Sequence, residues 1–490
     1  MPRISQRQEL VIALAIAWTL IVVRSVVFVL YEQSFFDSDS AIVGLMAKHL
    51  SEGRAFPLFF YGQSYMLAVE SWFAAPFLWL GGPTVASLRA AMVTLNLTAA
   101  TLVIVTLWKA AGLRPFLGLV ASLFFVIAPP FTSALLLEAQ GGSIEPFIYI
   151  VLLWWLRNRP LWFGAVLGVG FLNREFTAYA VPVIVIEQLL TRRLWRRETA
   201  RAWLLTAVAF FAVWEGVNAL KPYADLMGPG TRGQLLGGFP GSQLADVSTR
   251  TSVSISDMPS RLVDTVSHLC ARLLNAAPMN GVAAQGHGWI AWPLLILTVA
   301  LTARIVWLLS RSAPAREAAS GFCWYLAGVG SVAILAYAAG KVPADGTQRY
   351  LLLSLLVPIG VVAGVLRIEP RRALRAGVVA IVLGWAGLAA LDNAAFIRRY
   401  AAGNEPNDMR DLVNALVERE IDVVEAEYWR AYKLSFLSGE RVISASTDVA
   451  RIAEYQKRAA AAGDQLRQIR ARPCPGGEPV GAFFLCPPES

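Results

Sequence analysis

Residues 10–30 of the chain read LVIALAIAWTLIVVRSVVFVL, a run in which Arg24 is the only charged residue. At a rise of about 1.5 Å per residue, a helix of this length crosses the roughly 30 Å of hydrocarbon in a bilayer. The run lacks a small-residue cleavage site, so we expect a retained anchor and not a removed signal peptide. Of the 490 residues 56% are hydrophobic and only 16% charged, against about 25% charged in soluble domains. The chain is therefore predicted to be a polytopic membrane protein.

Hydropathy along the rest of the chain predicts about eleven membrane-spanning helices. The expected spans are 10–31, 84–107, 115–131, 143–156, 161–173, 176–191, 202–219, 289–309, 320–340, 349–366 and 376–396. Lys and Arg then cluster in alternate connections, which places those connections and the N-terminus in the cytoplasm. The net charge of +9 thus reflects membrane orientation. A nucleic-acid partner is disfavoured, because no basic patch falls on a soluble face.

The longer connections lie on the opposite, extracytoplasmic side, at 32–83, 132–142, 220–288 and 341–348. Residues 1–396 form the predicted transmembrane domain, and 397–490 form a separate extracytoplasmic domain. In the latter, helices at 406–419, 428–437 and 448–462 alternate with strands at 421–427, 441–446 and 481–485, which predicts a small α/β domain. Cys474 and Cys486 flank a Pro/Gly-rich segment there, where a disulfide can form.

Two carboxylates follow the first span directly, in the stretch Phe36-Asp37-Ser38-Asp39-Ser40. Two positions apart in extended chain, they can point the same way, towards a substrate hydroxyl or a divalent cation such as Mg²⁺ or Mn²⁺. Asp39 could equally cap a helix that begins at Ser40 or Ala41. Apolar residues spaced by three and four after this point predict a helix that lies in the membrane interface.

Residues 37–50 read DSDSAIVGLMAKHL, and Gly53 and the run PLFFYGQSY at 57–65 follow. This pattern resembles the first external loop of the GT-C membrane glycosyltransferases, in the branch that holds protein O-mannosyltransferases and the aminoarabinose transferase of lipid A. Those enzymes take a sugar from a polyprenyl-phosphate carrier. Family members usually carry an Asp-Glu pair here, which corresponds to Asp39 and Ser40. The second acidic role is therefore either vacant or taken by Asp37.

Three later motifs occur in the order that the resemblance implies: GSIEP at 142–146, LNRE at 172–175 and QRY at 348–350. Glu145 stands where relatives often have an acidic residue, and Arg174 where they carry a basic residue that faces the lipid phosphate. Arg349 matches their Arg-Tyr at the start of a late helix. The resemblance covers most of the first 365 residues and implies an all-α, polytopic GT-C fold.

The chemistry of such a transfer explains why cations are needed. The carbon–oxygen bond that breaks has a phosphate as its leaving group, so positive charges and not a strong general acid must stabilise the departing group. We expect the donor phosphate to be bound by Arg174, Arg349 and Lys341. Arg174 could instead pair with Glu175, and Arg349 could extend to the membrane surface without any ligand.

The acceptor hydroxyl must lose a proton, and Asp39 is the expected base. A single base with direct attack predicts inversion at the anomeric carbon, because retention ordinarily needs a second carboxylate as nucleophile. The further catalytic candidates are Asp37, Glu138 and Glu145. Glu145 could instead open a helix, where an acid is favourable. Asp37 and Asp39 are the expected ligands if a divalent cation takes part.

The expected partners are membrane lipids, a polyprenyl-phosphate sugar, and an acceptor hydroxyl on a lipid, glycan or protein. The protein is placed in the inner or plasma membrane with its C-terminus outside the cytoplasm. Loop 220–288 could close over the donor or simply connect two spans. Tyr428, Trp429, Tyr432 and Phe436 have helical spacing, which favours a domain core over a sugar platform. A lipid-linked sugar flippase and a non-catalytic membrane subunit remain alternatives.

Overall fold

The computed structural model describes residues 5–63, 66–221, 255–275, 291–340, 348–403 and 405–487. Its first part contains α1 (Gln6–Leu30), α2 (Ser38–Ser51), α3 (Val69–Gly81), α4 (Val85–Lys109), α5 (Pro115–Val126), α6 (Pro130–Leu137), α7 (Glu145–Leu156), α8 (Pro160–Asn173), α9 (Ala180–Leu190) and α10 (Arg197–Leu220). Then follow α11 (Met258–His268), α12 (Ala291–Arg311), α13 (Ala313–Ala318), α14 (Gly321–Ala339), α15 (Leu356–Ile368) and α16 (Arg372–Ala401). A 3₁₀ segment, Gln348–Leu355, leads directly into α15.

The described helices make this a multi-pass membrane protein. Seven are long and apolar enough to cross a membrane: α1, α4, α10, α12, α14, α16 and the combined Gln348–Ile368 segment. The pair α5 and α6 adds an eighth if it forms one bent span, and α7 and α8 are shorter apolar helices. All eleven predicted spans fall on helices, but four are short or bent, so the number eleven stays a prediction.

The bend between α5 and α6 places a site residue. The two helices meet at 86°, where Pro129 and Pro130 follow the last turn of α5. Proline lacks a backbone N–H and blocks the helical conformation of the residue before it, which accounts for the break. Helix α6 then packs against α1 and α4 and ends at Leu137. Glu138 is thereby fixed at the end of the helical bundle.

The C-terminal domain is a small α/β unit. It contains α17 (Asp408–Glu418), β1 (Val423–Ala426), α18 (Tyr428–Leu437), β2 (Ile443–Ser446), α19 (Ala453–Ala462), β3 (Arg467–Arg470), β4 (Glu478–Val480) and β5 (Phe483–Cys486). The strand order is β2-β1-β3-β5-β4, with β1 parallel to β2 and β3 and the last two strands antiparallel. Cys474 and Cys486, whose pairing the sequence left open, form a disulfide. The boundary expected at 396 falls inside α16, which continues to Ala401.

Helix α2 connects the two domains. The residues from Ser40 to His49 are all buried, because α3 packs on one side of the helix and α18 on another. The Phe36 and Phe436 ring centroids are 5.6 Å apart, and a Cβ at Gly44 would lie only 2.5 Å from the Phe436 ring. The position of α2 in the membrane interface stays a prediction. The C-terminal domain, and not water, covers its polar face.

Candidate active site

The candidate residues meet at one end of the helical bundle, beneath the C-terminal domain. Each is set at the end of a helix: Asp37 and Asp39 begin α2, Glu138 follows α6, Arg174 follows α8, and Arg349 opens the segment that leads into α15. Charged side chains are tolerated at helix ends because their polar groups can leave the hydrocarbon. Residues far apart in sequence are thus gathered on one surface.

Asp37 is the cap of α2. Its Oδ1 accepts a hydrogen bond from the backbone N–H of Ser40 at 2.8 Å, and the Gln140 side chain donates to its Oδ2. The expectation that Asp39 would cap the helix is wrong, because α2 begins at Ser38 and Asp39 lies in its first turn. Burial, together with the negative charge of Asp39, raises the pKa of Asp37.

Asp39 faces both a cation and a phenol. Arg349 Nη1 lies 3.8 Å from Asp39 Oδ2, and the Tyr428 hydroxyl donates a hydrogen bond to Asp39 Oδ1. The Asp39 and Arg349 side chains keep 20% and 22% of their surface exposed. The carboxylate is therefore oriented by protein contacts and still accessible to a ligand.

Glu138 lies within electrostatic reach of Asp37, Asp39, Arg89 and Arg349. Burial and the negative charge of Asp37 raise the pKa of Glu138 to about 8, against the opposing charges of the two arginines. This carboxyl group is therefore mostly protonated at neutral pH. Arg89 is fully buried. Its guanidinium group donates hydrogen bonds to the carbonyl oxygens of Phe35 and Leu137. It thereby joins the two carboxylate-bearing segments.

A second cluster surrounds Arg174. Its Nε donates to the carbonyl oxygen of Gly141 at 2.8 Å, and a Cβ at Gly142 would lie 1.9 Å from Arg174 Cγ. Gly142 also has φ +86°, so both space and backbone conformation require glycine here. The backbone N–H groups of Gly141 and Gly142 donate to Glu70. Glu145 lies beside Glu70, close enough for the two carboxyl groups to interact.

Tyr350 joins the two clusters. The guanidinium carbon of Arg174 is 5.6 Å from the centroid of its ring, and that of Arg349 is 5.2 Å away. Both distances are within the range of cation–π contacts. The two expected phosphate-binding arginines thus share one aromatic neighbour. Among the described residues Arg174 makes no ion pair with Glu175, so that alternative is not realised.

Two expectations fall outside the described residues. Lys341, the third phosphate-binding candidate, is one of them. So is most of loop 220–288, of which the structure describes the start and the part from residue 255 that holds α11.

The predicted metal ligands, Asp37 and Asp39, already have donor partners in the protein. No group of three or more His, Cys, Asp and Glu residues in the described ranges is arranged to hold a metal ion. Each oxygen of Asp37 already faces a donor, from Ser40 and Gln140. Those of Asp39 face Tyr428 and Arg349. A cation would have to displace these donors, so the contacts do not fit it, and the metal stays a prediction.

Sequence reasoning missed several residues of the site. Arg89 lies inside a predicted span, and Glu70 lies in the predicted external connection 32–83. Tyr428 was assigned to a domain core, and the residue is indeed buried, but its hydroxyl leaves that core to reach Asp39. Two adjacent glycines, Gly141 and Gly142, allow another group to approach the backbone closely. The group that approaches is the Arg174 side chain.

Comparison with known proteins supports the fold. No protein-family model and no curated protein matches the sequence. The structure is similar to that of ArnT from Cupriavidus metallidurans bound to undecaprenyl phosphate, with a TM-score of 0.55 and 12% identity over 92% of this chain and 87% of that chain. ArnT from the same organism in the apo state matches with a TM-score of 0.39 and 13% identity over 93% and 88%. The chain therefore has the fold of ArnT, which is the GT-C fold that its sequence implied.

Proposed function

We propose that this protein is an inverting glycosyltransferase that moves a sugar from a polyprenyl-phosphate donor to an acceptor hydroxyl on the extracytoplasmic face of the membrane. The observation that supports this most directly is the placement of Asp39 against Arg349, 3.8 Å away, with both side chains partly exposed. A base and a phosphate-binding cation are thus side by side. ArnT, which has the same fold, was solved with undecaprenyl phosphate bound.

The two arginines would receive the donor phosphate. Guanidinium groups bind phosphate through two parallel hydrogen bonds, which makes arginine suited to this role. Arg174 and Arg349 flank the same Tyr350 ring, so one anionic group can meet both. As the bond between the anomeric carbon and the phosphate oxygen breaks, its electron pair stays on the phosphate. The arginines stabilise that charge as it forms.

Asp39 would take the proton of the acceptor. The acceptor oxygen attacks the anomeric carbon from the face opposite the phosphate, forms the new bond as the old one breaks, and passes its proton to the Asp39 carboxylate. A positioned base of this kind contributes on the order of 10²–10⁴ in rate. Tyr428 donates to Oδ1 of Asp39 and holds the carboxylate in place. Attack in one step inverts the configuration.

The other acids would support this base. Asp37 fixes the start of α2 by capping it, which sets the direction of Asp39. Glu138, with its raised pKa, remains protonated near neutral pH and adds no second negative charge beside the departing phosphate. Glu70 holds the Gly141-Gly142 segment on which Arg174 rests, and Glu145 lies beside Glu70. No step requires a metal ion, since the donor atoms of Asp37 and Asp39 are already engaged.

The orientation of the protein is also a proposal. Arg367 donates to the carbonyl oxygen of Gly112, and Arg114 pairs with Glu9 at 2.8 Å. These contacts gather basic residues at the bundle end opposite the C-terminal domain. Positively charged connections remain in the cytoplasm, which places the candidate site and the C-terminal domain outside it.

Reconstituted protein supplies the test. Liposomes that contain the purified protein and a radiolabelled polyprenyl-phosphate hexose are incubated with an envelope extract, and the label in new products is counted. Asp39→Asn should lower transfer by about 100-fold or more. Asp408→Asn, at the exposed start of α17, is the matched control and should keep full activity.

Three outcomes would contradict the proposal. Full activity of Asp39→Asn would reject the base. Retention of the anomeric configuration in the product would reject inversion. Movement of intact labelled lipid between leaflets, without any product, would indicate a transporter. A parallel assay with a chelator tests the divalent cation, and we expect unchanged rates.

A further inference from the structure

The C-terminal sheet changes its direction of growth at β1. The chain runs from β1 to β2 on one side and then returns to β3 on the other, and β1 is parallel to both neighbours. In open α/β sheets, ligands bind outside the carboxyl ends of the strands at such a switch point. The topology alone therefore indicates a ligand site at the edge of the sheet where β1 and β3 end, at Ala426 and Arg470.

A cavity of about 600 Å³ opens at this edge, within the range of about 300–1,000 Å³ that small-molecule sites occupy. Most of its lining residues are of polar types, and they come chiefly from the ends of β1 and β3 and from the beginning of α18. The charged and amide-bearing residues are Glu425, Glu427, Arg430, Gln468, Arg470 and Arg472.

Hydrogen bonds between these side chains build the site. Gln468 Nε2 donates to Glu425 Oε2 at 3.2 Å, and Arg470 Nη2 donates to Gln468 Oε1 at 2.7 Å. Arg430 pairs with Glu427 at 3.0 Å. The side chains are thus held in defined positions and leave little ordering for a ligand to impose, which favours binding.

The charges and polar groups of the lining residues indicate which kind of ligand the cavity can bind. Three arginines against two glutamates leave a positive balance, and guanidinium groups match a carboxylate or phosphate in planar, paired hydrogen bonds. The glutamate and glutamine oxygens accept hydrogen bonds from hydroxyl groups. None of the described lining residues is aromatic, so a nucleotide base would find no ring on which to stack.

We propose that this cavity binds a sugar unit that carries a carboxylate or a phosphate and belongs to the acceptor. Its role as an acceptor site rests on the proposed function, whereas binding itself does not. Glu427 lines the cavity and the next residue, Tyr428, donates to Asp39. One helix start therefore contacts both the bound glycan and the base that activates its hydroxyl.

Binding is tested with the full-length protein in nanodiscs and without donor lipid. Saturation-transfer NMR is recorded with glucuronate and glucose 6-phosphate, and with glucose for comparison. Inorganic phosphate, which has no C–H protons to observe, is added as a competitor of glucose 6-phosphate. The two anionic sugars should bind, and the variant that carries both Arg470→Gln and Arg472→Gln should bind them about tenfold more weakly, the loss expected for charge-assisted contacts. Arg467→Gln is the matched control, since Arg467 lies on the same strand but donates to the Asp464 carbonyl oxygen.

Four outcomes would reject the inference. Equal binding by the double variant and the wild type would show that Arg470 and Arg472 do not bind the ligand. Absence of any signal from the anionic sugars would show that the cavity does not bind them. If glucose bound as tightly as glucuronate, the site would not select for an anionic group. If inorganic phosphate bound as tightly as glucose 6-phosphate, the sugar would contribute nothing to recognition. If binding is found while the wild type transfers no label, only the proposed function fails.

Discussion

Glu440 holds the C-terminal domain against α2, and its replacement by glutamine is the sharpest test of how the two domains are joined. Lys48 Nζ lies 2.6 Å from Glu440 Oε2, and His49 Nε2 lies 3.0 Å from Oε1. The Tyr455 hydroxyl donates to Oε1 at 2.8 Å, and Arg54 pairs with Oε2. Burial alone would raise the pKa of Glu440, but the hydrogen bonds and charge of its partners hold it well below the usual value.

The free energy lost in Glu440→Gln follows from the burial of the side chains involved. The side chains of Glu440, Lys48 and His49 are exposed by only 10%, 9% and 3%. Glutamine would remove one of the two carboxylates that the buried Lys48 contacts, and Glu52, at 2.9 Å, would remain. Removal of one partner from a buried pair costs about 3–5 kcal/mol. We take the lower end, about 3 kcal/mol, because Arg54 is 43% exposed and can turn to water. That corresponds to about a 100-fold increase in the undocked population.

Hydrogen exchange measured by mass spectrometry detects that population. Amides of α2 and α18 should exchange up to about 100-fold faster in Glu440→Gln than in the wild type. Glu454→Gln removes a surface pair with Arg458, whose side chains are 48% and 52% exposed, and should change rates less than about fivefold. Equal exchange in the two variants would refute the reasoning. Because the pKa of Glu440 is lowered, its stabilisation is complete above the usual glutamate pKa and is lost as the pH falls below it.

Two further predictions concern the candidate site. Glu138→Gln should become more stable relative to the wild type as the pH rises from about 5 to about 9, since the raised pKa of Glu138, about 8, makes the folded wild type hold a proton that the unfolded chain releases. Thermal unfolding at each pH measures this, and a constant difference would contradict it. Gly142→Ala should lower transfer at least about tenfold by displacing Arg174, whereas Gly53→Ala, at φ +66° with nothing near its Cβ, should cost only about 1–2 kcal/mol of backbone strain. Equal activity of the two glycine variants in the liposome assay would show that the Arg174 contact is unimportant.

The lengths of the hydrophobic runs in the sequence predicted most of the fold. Every expected span falls on a helix, because a run of apolar residues in lipid must satisfy its own backbone hydrogen bonds. In the C-terminal domain the helix predicted at 428–437 has those bounds in the structure. Strands β3 and β4 were missed, since RQIR carries two arginines and EPV contains Pro479. Proline is accepted in β4 because that strand lies at the sheet edge.

The site was predictable where chemistry showed in local sequence, and not where it depended on packing. Asp39, Arg174 and Arg349 stand out as charges at the ends of apolar runs. Tyr428 does not, because its spacing on α18 is that of a core residue and only the docking of the domain aims its hydroxyl at Asp39. The burial of α2 was missed for the same reason. A helix periodicity identifies a polar face but not what covers it.

The hydrogen bond from Tyr428 to Asp39 makes the proposed catalytic centre a composite of two modules. A protein truncated after Ala401 would retain the arginines and the carboxylates but lack the phenol that orients one of them. Chimaeras that exchange the C-terminal module between proteins of this architecture should therefore regain turnover only when the incoming module presents a hydroxyl at the same place.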